Sequence, residues 1–399
     1  MHLESALSII ATILACTAII GALIGTGFAL IQLIVSAYVL LARPPVSRST
    51  VLWRRYSDVA PPISVLVPAY NEELTVVESV RSLLALEYPS FEVIVVNDGS
   101  RDGTLEALTR GFGLIPASRV FEEAAPHQPL RAIYTSPDHP RLLVADKMNG
   151  GKADALNAAI NLSRAPLLCA IDADSLLEAD ALLRAVGPFV EDPERTIAVG
   201  GAIRILNGSR VVAGRVVDIR LPKTLLGRIQ IVEYLRAFLM ARLAWSQIGV
   251  LLIVSGAFGL FRRNEVVAVG GYTLGTVGED LDLVIKLHRK MREENRDYRI
   301  SFLPEPVCWT EAPETLAVLG RQRSRWQRGA LECFFRHRDM MFDRRYGRVG
   351  WLGIGHMFAV DILGPVGEIL GYLAIPLFWS LGILSGDYLA AAIAAPQTK

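Results

Sequence analysis

Two aspartates stand two residues apart, Asp172 and Asp174 in "DADS" (172–175), where the apolar run "PLLCAI" (166–171) ends. In an extended segment residues i and i+2 point the same way, so the two carboxylates can be aimed at one point. Hard oxygen ligands at a strand end suit Mg²⁺ or Mn²⁺, completed by water and phosphate oxygens. The other reading is that Asp174 or Ser175 simply starts the next helix. Two further apolar runs end in polar groups. "ISVLVPAY" (63–70) is followed by Asn71, Glu72 and Glu73, and "FEVIVV" (91–96) by Asn97 and Asp98 of "NDGS". A carboxylate repels phosphate, so Asp98 suits a ligand that offers donors, or a metal.

Three later segments add charge. In "GGKADALNAAI" (150–160) Lys152 follows two glycines at a helix start, where a cation and free backbone N–H groups can meet a diphosphate; a solvated helix lysine would look the same. "VGEDLDLVIKLH" (277–288) presents Glu279 and Asp280 just before apolar positions, as reactive carboxylates or as helix caps. In "RQRSRWQRG" (321–329) a helix would place Gln322, Arg325 and Trp326 at i, i+3 and i+4. That face offers an amide, a guanidinium for phosphate and an indole platform for a sugar ring. The same arginines could instead meet lipid headgroups from an amphipathic helix.

These groups need a frame. The runs at 63–67, 91–96, 141–145 and 166–171 are short and rich in branched residues, and helical stretches starting near Glu73, Gly103, Lys152 and Glu178 separate them. Strands alternating with helices at this spacing predict an α/β domain with a mainly parallel sheet, whose ligands bind beyond the carboxyl ends of the strands. The stretch 111–140, rich in proline and charge, reads as a loop or insertion.

Of the 399 residues 52% are hydrophobic, and the mean hydropathy is +0.36, too apolar for an ordinary soluble enzyme. No charge occurs from Leu7 to Ala42, which predicts one long tilted helix or a hairpin broken near "GTG" (25–27). A second span is expected between about 350 and 386, with Asp361 and Glu368 facing protein or water, whereas "YLAAAIAA" (388–395) is too short to cross. Arginines follow the first span (Arg43, Arg48, Arg54, Arg55) and precede the second (Arg336, Arg338, Arg344, Arg345, Arg348). By the positive-inside rule the middle of the chain is cytoplasmic and the protein lies in the cell (inner) membrane. The expected division is 1–45 membrane segment, 46–342 catalytic domain with interfacial helices towards its end, and 343–399 membrane segment and tail. Four cysteines without metal or disulfide spacing suit a reducing compartment, and a net charge of +1 argues against a nucleic-acid partner.

Taken in order, "VPAYNEE", "NDGS", "GKADALN", "DAD", "VSGAFGLFRR", "GED" and "QRSRW" resemble family 2 glycosyltransferases, in particular the membrane-bound synthases of β-linked polysaccharides such as poly-N-acetylglucosamine, hyaluronan, chitin and cellulose. The resemblance covers about 62–335. It implies a GT-A fold that inverts the anomeric carbon of a nucleotide sugar, usually UDP-linked. It further implies that Tyr70, Glu72 and Asp98 hold uridine, and that Lys152 meets uracil or diphosphate. Asp172 and Asp174 would hold donor and Mg²⁺ or Mn²⁺, and Asp280 would be the base. Gln322, Arg325 and Trp326 would close over the diphosphate and the acceptor site, which residues 254–259 border. Asn97 stands where many relatives have aspartate, and Gly278 where many have threonine. The implied function is transfer of a hexose, N-acetylglucosamine foremost, to a growing β-linked glycan in the bilayer, with membrane partner subunits a further option. Single transfer to a lipid-linked acceptor needs the same donor site, and a non-catalytic sugar-nucleotide sensor is the reading from another class.

Overall fold

The computed structural model describes residues 2–42, 49–380 and 382. It opens with one continuous helix, α1 (His2–Ala42), so the hairpin alternative does not occur. The short α2 (Ser49–Tyr56) follows. The tyrosine hydroxyl at its end and Arg55 both donate to Glu191, each at 2.7 Å, which seats α2 on the domain.

The domain alternates as expected: β1 (Ile63–Ala69), α3 (Val76–Leu84), β2 (Phe91–Asn97) and α4 (Thr104–Phe112), then β3 (Ile115–Ala117), β4 (Leu130–Thr135), β5 (Leu142–Lys147), α5 (Lys152–Leu162) and β6 (Leu167–Ile171). There follow β7 (Leu176–Leu177), α6 (Ala181–Glu191), β8 (Thr196–Ile205) and a small hairpin, β9 (Arg210–Val212) and β10 (Arg215–Asp218). Next, α7 (Leu225–Leu235) passes through a π-helical segment, Arg236–Arg242, into α8 (Leu243–Ile248). After β11 (Phe258–Arg262) and α9 (Arg263–Ala268) come α10 (Glu279–Glu293), β12 (Arg299–Thr310) and α11 (Leu316–His337). Short 3₁₀ and π-helical turns then lead to α12 (Leu363–Ser380).

The ten-stranded sheet runs β3-β4-β5-β2-β1-β6-β11-β8-β12-β7. Its centre, β5-β2-β1-β6, is parallel, with Ala69 beside Asn97 and Asn97 beside Asp146. Parallel strands in register bring their carboxyl ends to one edge, which is why motifs far apart in the chain meet there. Val65, Leu66 and Val67 of β1 and Val93 to Val96 of β2 have no exposure at all, each such side chain contributing about 1.5–3 kcal/mol. β11 enters antiparallel between β6 and β8, with Phe258 opposite Ile171. The loop before β11 therefore arrives beside the end of β6, where Asp172 lies.

The stretch 111–140 is not all loop. It contributes β4, which pairs antiparallel with β5, and β3, which pairs antiparallel with β4 and forms the sheet edge. The prolines and charges of the stretch hid them: β3, at the edge, tolerates Pro116, and β4 beside it is only partly buried.

Two helices are long and apolar enough to cross a membrane, Thr12–Ala42 and Val349–Ile375, and both are mostly uncovered by protein. They meet the domain at defined points. Phe28 of α1 lies edge-on to Trp245 of α8 and to His356, with ring centroids 6.0 and 4.9 Å away. Phe334 of α11 stacks on Phe358 at 5.3 Å, and the Gln327 amide donates to the Asp361 carbonyl at 2.6 Å. The segment 388–395 lies outside the described residues.

Candidate active site

At the end of β1 the chain turns through Asn71, at φ +58°. Its side-chain oxygen accepts from the Arg101 N–H at 2.9 Å while its own N–H donates to Ser100 at 3.0 Å. The two strand-end loops are thus tied together. Glu72 accepts from the Thr75 hydroxyl at 2.6 Å, and Tyr70 is exposed. Gly99, at φ +64°, is required, because a Cβ there would lie 2.8 Å from the Asn149 nitrogen.

Asp98 is buried, and the structure gives its carboxylate four donors: Lys147 Nζ at 2.5 Å, Gly151 N at 2.7 Å, Gly150 N at 3.0 Å and Asn149 Nδ2 at 3.1 Å. Lys147 also meets Asp154 at 2.5 Å. Charge-assisted bonds of this kind are the strong ones. Asp98 therefore holds the 147–151 loop, and a nucleoside could bond its side chain only where these donors give way. The loop in turn delivers Lys152 as the first residue of α5, with Gly151 at φ +90° letting the chain enter.

The Lys152 ammonium is 2.6 Å from Asp172, 3.3 Å from Glu279 and 3.4 Å from the Gly256 carbonyl. A Cβ on Gly256 would lie 3.1 Å from this ammonium and 3.4 Å from Asp280 Oδ2, so glycine lets the 254–259 loop approach both. Segments as much as 128 residues apart in sequence, Lys152 and Asp280, thus form one cluster with Asp172 and Glu279. Burial acts to lower the lysine, but Asp172, Glu279 and Asp280 outweigh it and hold it above the ordinary value. Glu279 is pushed up by burial, which Lys152 partly offsets and Asp280 reinforces. Asp174 is also raised, by burial and then by the fields of Asp172 and Glu72. These carboxylates crowd one another, and a divalent cation would relieve them. Among the described residues no three His, Cys, Asp or Glu side chains form a metal cage. Two carboxylates with open positions nevertheless fit Mg²⁺ or Mn²⁺, which keep water and phosphate ligands.

Asp280 lies in the first turn of α10, its Oδ1 accepting from the Leu281 N–H at 2.8 Å. α10 is clamped to α11. Glu332 accepts from Thr276 Oγ1 at 3.0 Å and from the Val277 N–H at 3.1 Å, and Cys333 Sγ meets the Gly278 carbonyl at 3.3 Å. Asp282, with no side-chain exposure, accepts from Thr273 at 2.5 Å and from Arg336 and His337 at 2.9 Å each. Burial opposes its charge, yet these three donors hold its carboxyl well below the usual aspartate range. Gly278 and Gly329 bring the two backbones together; a Cβ on Gly278 would stand 2.9 Å from the Gly329 carbonyl oxygen.

On α11, Arg325 and Trp326 are exposed, and Gln322 Oε1 is a buried acceptor without a donor. Arg323 lies 4.4 Å over the Trp326 ring and pairs with Glu233 at 2.5 Å. The arginines expected at headgroups are partly engaged by protein, Arg328 with Glu332 and Arg336 with Asp282. No direct bond joins Gln322, Arg325 or Trp326 to the Lys152 cluster among the described residues; the α10–α11 clamp relates them. Sequence reasoning missed Lys147, Asp282 and Arg242, and left Glu279 without a role. Arg242 feels the Asp280 charge, lies 4.0 Å over the Phe238 ring and has a buried Nε without an acceptor; burial lowers it to about 10. Nothing in the spacing of "LMARLAW" signals this. The aspartate at position 282 was visible in "GEDLD", as a third acidic residue turned to the apolar side of the helix.

Comparison with known proteins bears on the family and the fold. The family described as "Glycosyltransferase like family 2" matches residues 61–329. The poly-beta-1,6-N-acetyl-D-glucosamine synthase of Staphylococcus epidermidis is 30% identical over 299 residues, which is 75% of this chain and 61% of that protein. That of Staphylococcus aureus strain COL is 31% identical over 275 residues, 69% of this chain and 56% of that protein. The chain thus spans less than two thirds of the length of these curated relatives. Among solved structures, a mannosyltransferase of Pyrobaculum calidifontis, in complex with GDP-Man and Mn²⁺, superposes with a TM-score of 0.64 at 21% identity, covering 96% of this chain and 91% of that one. The shared architecture is GT-A-like, with a mixed, largely parallel sheet between two apolar end helices. By the match over its catalytic domain and by its curated relatives, the chain belongs to glycosyltransferase family 2.

Proposed function

We propose that the chain is a membrane-embedded inverting transferase that moves a hexose, N-acetylglucosamine foremost, from a UDP-sugar to a growing β-linked glycan. The observation that carries the reading is the cluster of Lys152, Asp172, Glu279 and Asp280 at the carboxyl edge of the parallel strands, beside Asp174 and Glu72. The relatives named as poly-beta-1,6-N-acetyl-D-glucosamine synthases support the choice of sugar.

In this reading Tyr70 and Glu72 line the nucleoside, and Asp98 acts mainly by holding the loop that bears Lys152. Asp172 and Asp174 would hold Mg²⁺ or Mn²⁺, which when bound would supply positive charge for the leaving diphosphate. Lys152 faces the same charge, and Gln322, Arg325 and Trp326 close over diphosphate and acceptor. Asp280 takes the proton of the acceptor hydroxyl as it attacks the far face of the anomeric carbon. The arginines that follow the first apolar helix and precede the second support a domain, residues 46–342, on the cytoplasmic side of the inner membrane, with 1–45 and 343–399 as membrane segments. A cysteine at Glu122 should therefore resist an impermeant thiol reagent in sealed right-side-out cells.

The deciding experiment incubates the purified full-length chain with a panel of UDP-sugars and GDP-mannose, following nucleotide release and product length. A ladder of β-linked N-acetylglucosamine is expected from the matching UDP-sugar. A product one sugar longer on a lipid carrier would replace polymerisation by single transfer, and no nucleotide release with acceptor present would leave only a binding protein.

A further inference from the structure

A second charged site lies at the far end of α10. A cavity of about 500 Å³ opens between the ends of α8 and α10, the start of β12 and the turn before the second apolar helix. Six arginines line it, Arg195, Arg292, Arg296, Arg299, Arg345 and Arg348, against a single acidic lining residue, Asp297. Three of them are neutralised. Arg195 is 2.8 Å from Asp297, Arg296 is 2.7 Å from Glu265, and Arg345 is 2.7 Å from Asp343. Arg292, Arg299 and Arg348 have no carboxylate partner among the described residues. Arg292 carries in addition a buried Nε without an acceptor, its guanidinium 5.4 Å from the centre of the Tyr298 ring.

Like charges gathered round one cavity repel, and a buried donor without an acceptor is destabilising. A phosphate group answers both, since guanidinium and phosphate oxygens form paired, charge-assisted bonds. The place of the cavity indicates where such a group comes from. Arg348 directly precedes Val349, the first residue of the apolar helix Val349–Ile375. The lining residue Ser246 follows Trp245, whose ring meets Phe28 of α1 and, at 5.0 Å, His356. The cavity thus opens at the start of the second apolar helix, where the polar chain gives way to the apolar one, and one residue from the aromatic contact that joins α8 to α1.

We propose that this cavity is a binding site for a phosphate-ester anion, supplied by the headgroup of an anionic phospholipid. The site also touches the machinery of the cluster. His288 in its wall contacts the Tyr298 hydroxyl at 2.6 Å and the Leu251 carbonyl at 2.8 Å, the latter in the segment that leads to Gly256. An occupied cavity braces α10, which bears Asp280 at its other end.

The test uses the full-length chain in detergent, with binding read by native mass spectrometry. Dioleoyl-phosphatidylglycerol is titrated in, with dioleoyl-phosphatidylcholine as the neutral control and inorganic pyrophosphate as the soluble arm. The triple variant Arg292→Gln, Arg299→Gln, Arg348→Gln should bind phosphatidylglycerol at least tenfold more weakly than the parent. A variant with the same loss of charge at exposed Arg81, Arg110 and Arg164 should bind normally. If the triple variant fails to fold, Arg348→Gln alone, at an exposed position, should still weaken binding about threefold. Pyrophosphate binding with the same dependence on these arginines, and none by phosphatidylglycerol, would keep the anion site and overturn its lipid source. Binding of neither anion, or equal binding by the triple variant and the charge control, would overturn the site itself.

Discussion

Asp282→Asn tests the clamp between the helix of the proposed base and the helix of "QRSRW". The wild-type carboxylate has no exposure and accepts from Thr273, Arg336 and His337. Asparagine keeps the volume but replaces one acceptor oxygen with an NH₂ group. That group must face at least one of three donors, and the Arg336 charge loses its counter-ion. Removing one partner of a buried charge network costs about 3–5 kcal/mol. For a domain of this size this is a fall in melting temperature of roughly 6 to 20 °C. The sign with pH follows from the lowered carboxyl of Asp282. A depressed acid contributes stability above its unfolded pKa, which is lost as pH falls through the folded value. The parent should therefore lose stability progressively below about pH 4, and the variant should lack that component. Thermal unfolding of the detergent-solubilised chain, followed by tryptophan fluorescence between pH 3 and 8, reads both effects. A variant within about 1 kcal/mol of the parent at neutral pH, a value below the cost of any lost buried bond, would refute the clamp.

Asp280→Asn should be the opposite case: unfolding nearly unchanged, because asparagine keeps an acceptor oxygen for the Leu281 N–H, and sugar transfer down roughly 10²- to 10⁴-fold with calorimetric UDP binding nearly intact. Parallel loss of UDP binding would move Asp280 into the donor site. EDTA should stop transfer and Mg²⁺ or Mn²⁺ should restore it, whereas Asp174→Ala should respond to neither ion; full activity after exhaustive chelation would reduce "DADS" to a helix start. Gly278→Ala puts a methyl group 2.9 Å from the Gly329 carbonyl oxygen, an overpacking of about 1–3 kcal/mol. Unfolding measurements check this, and an unchanged melting temperature would mean that α11 yields freely.

The parallel centre of the sheet was legible because its strands are short apolar runs that stop at polar residues. "ISVLV", "FEVIVV" and "PLLCAI" became β1, β2 and β6 within a residue or two. β3 and β4 were not legible, since β3 is a three-residue edge strand and β4 beside it is only partly buried, so neither carries a strong periodicity. At the site, spacing showed that Asp172, Lys152 and Asp280 were chemically capable, but it could not show that β11 threads beside β6 and brings Gly256 up to them. Asp98 was the least legible. Its position at a strand end suggested a ligand, whereas its partner is a lysine 49 residues on, inside "ADKMNGGK". Long-range pairings of this kind leave no trace in local pattern.

α11 has its own mechanical consequence. Toward its C-terminal end it is fastened to the second apolar helix by the Phe334–Phe358 stack and the Gln327–Asp361 bond, and its N-terminal half carries Gln322 and Arg325. A helix transmits tilt as a rigid rod. Fastened at both points, α11 turns with that helix as one piece, and Arg325, two residues or about 3 Å along the axis beyond Gln327, is carried with it. Membrane helices adjust their tilt to the thickness of the bilayer. The joint therefore ties the position of this arginine to the tilt of the second apolar helix, and through it to bilayer thickness wherever that helix crosses one.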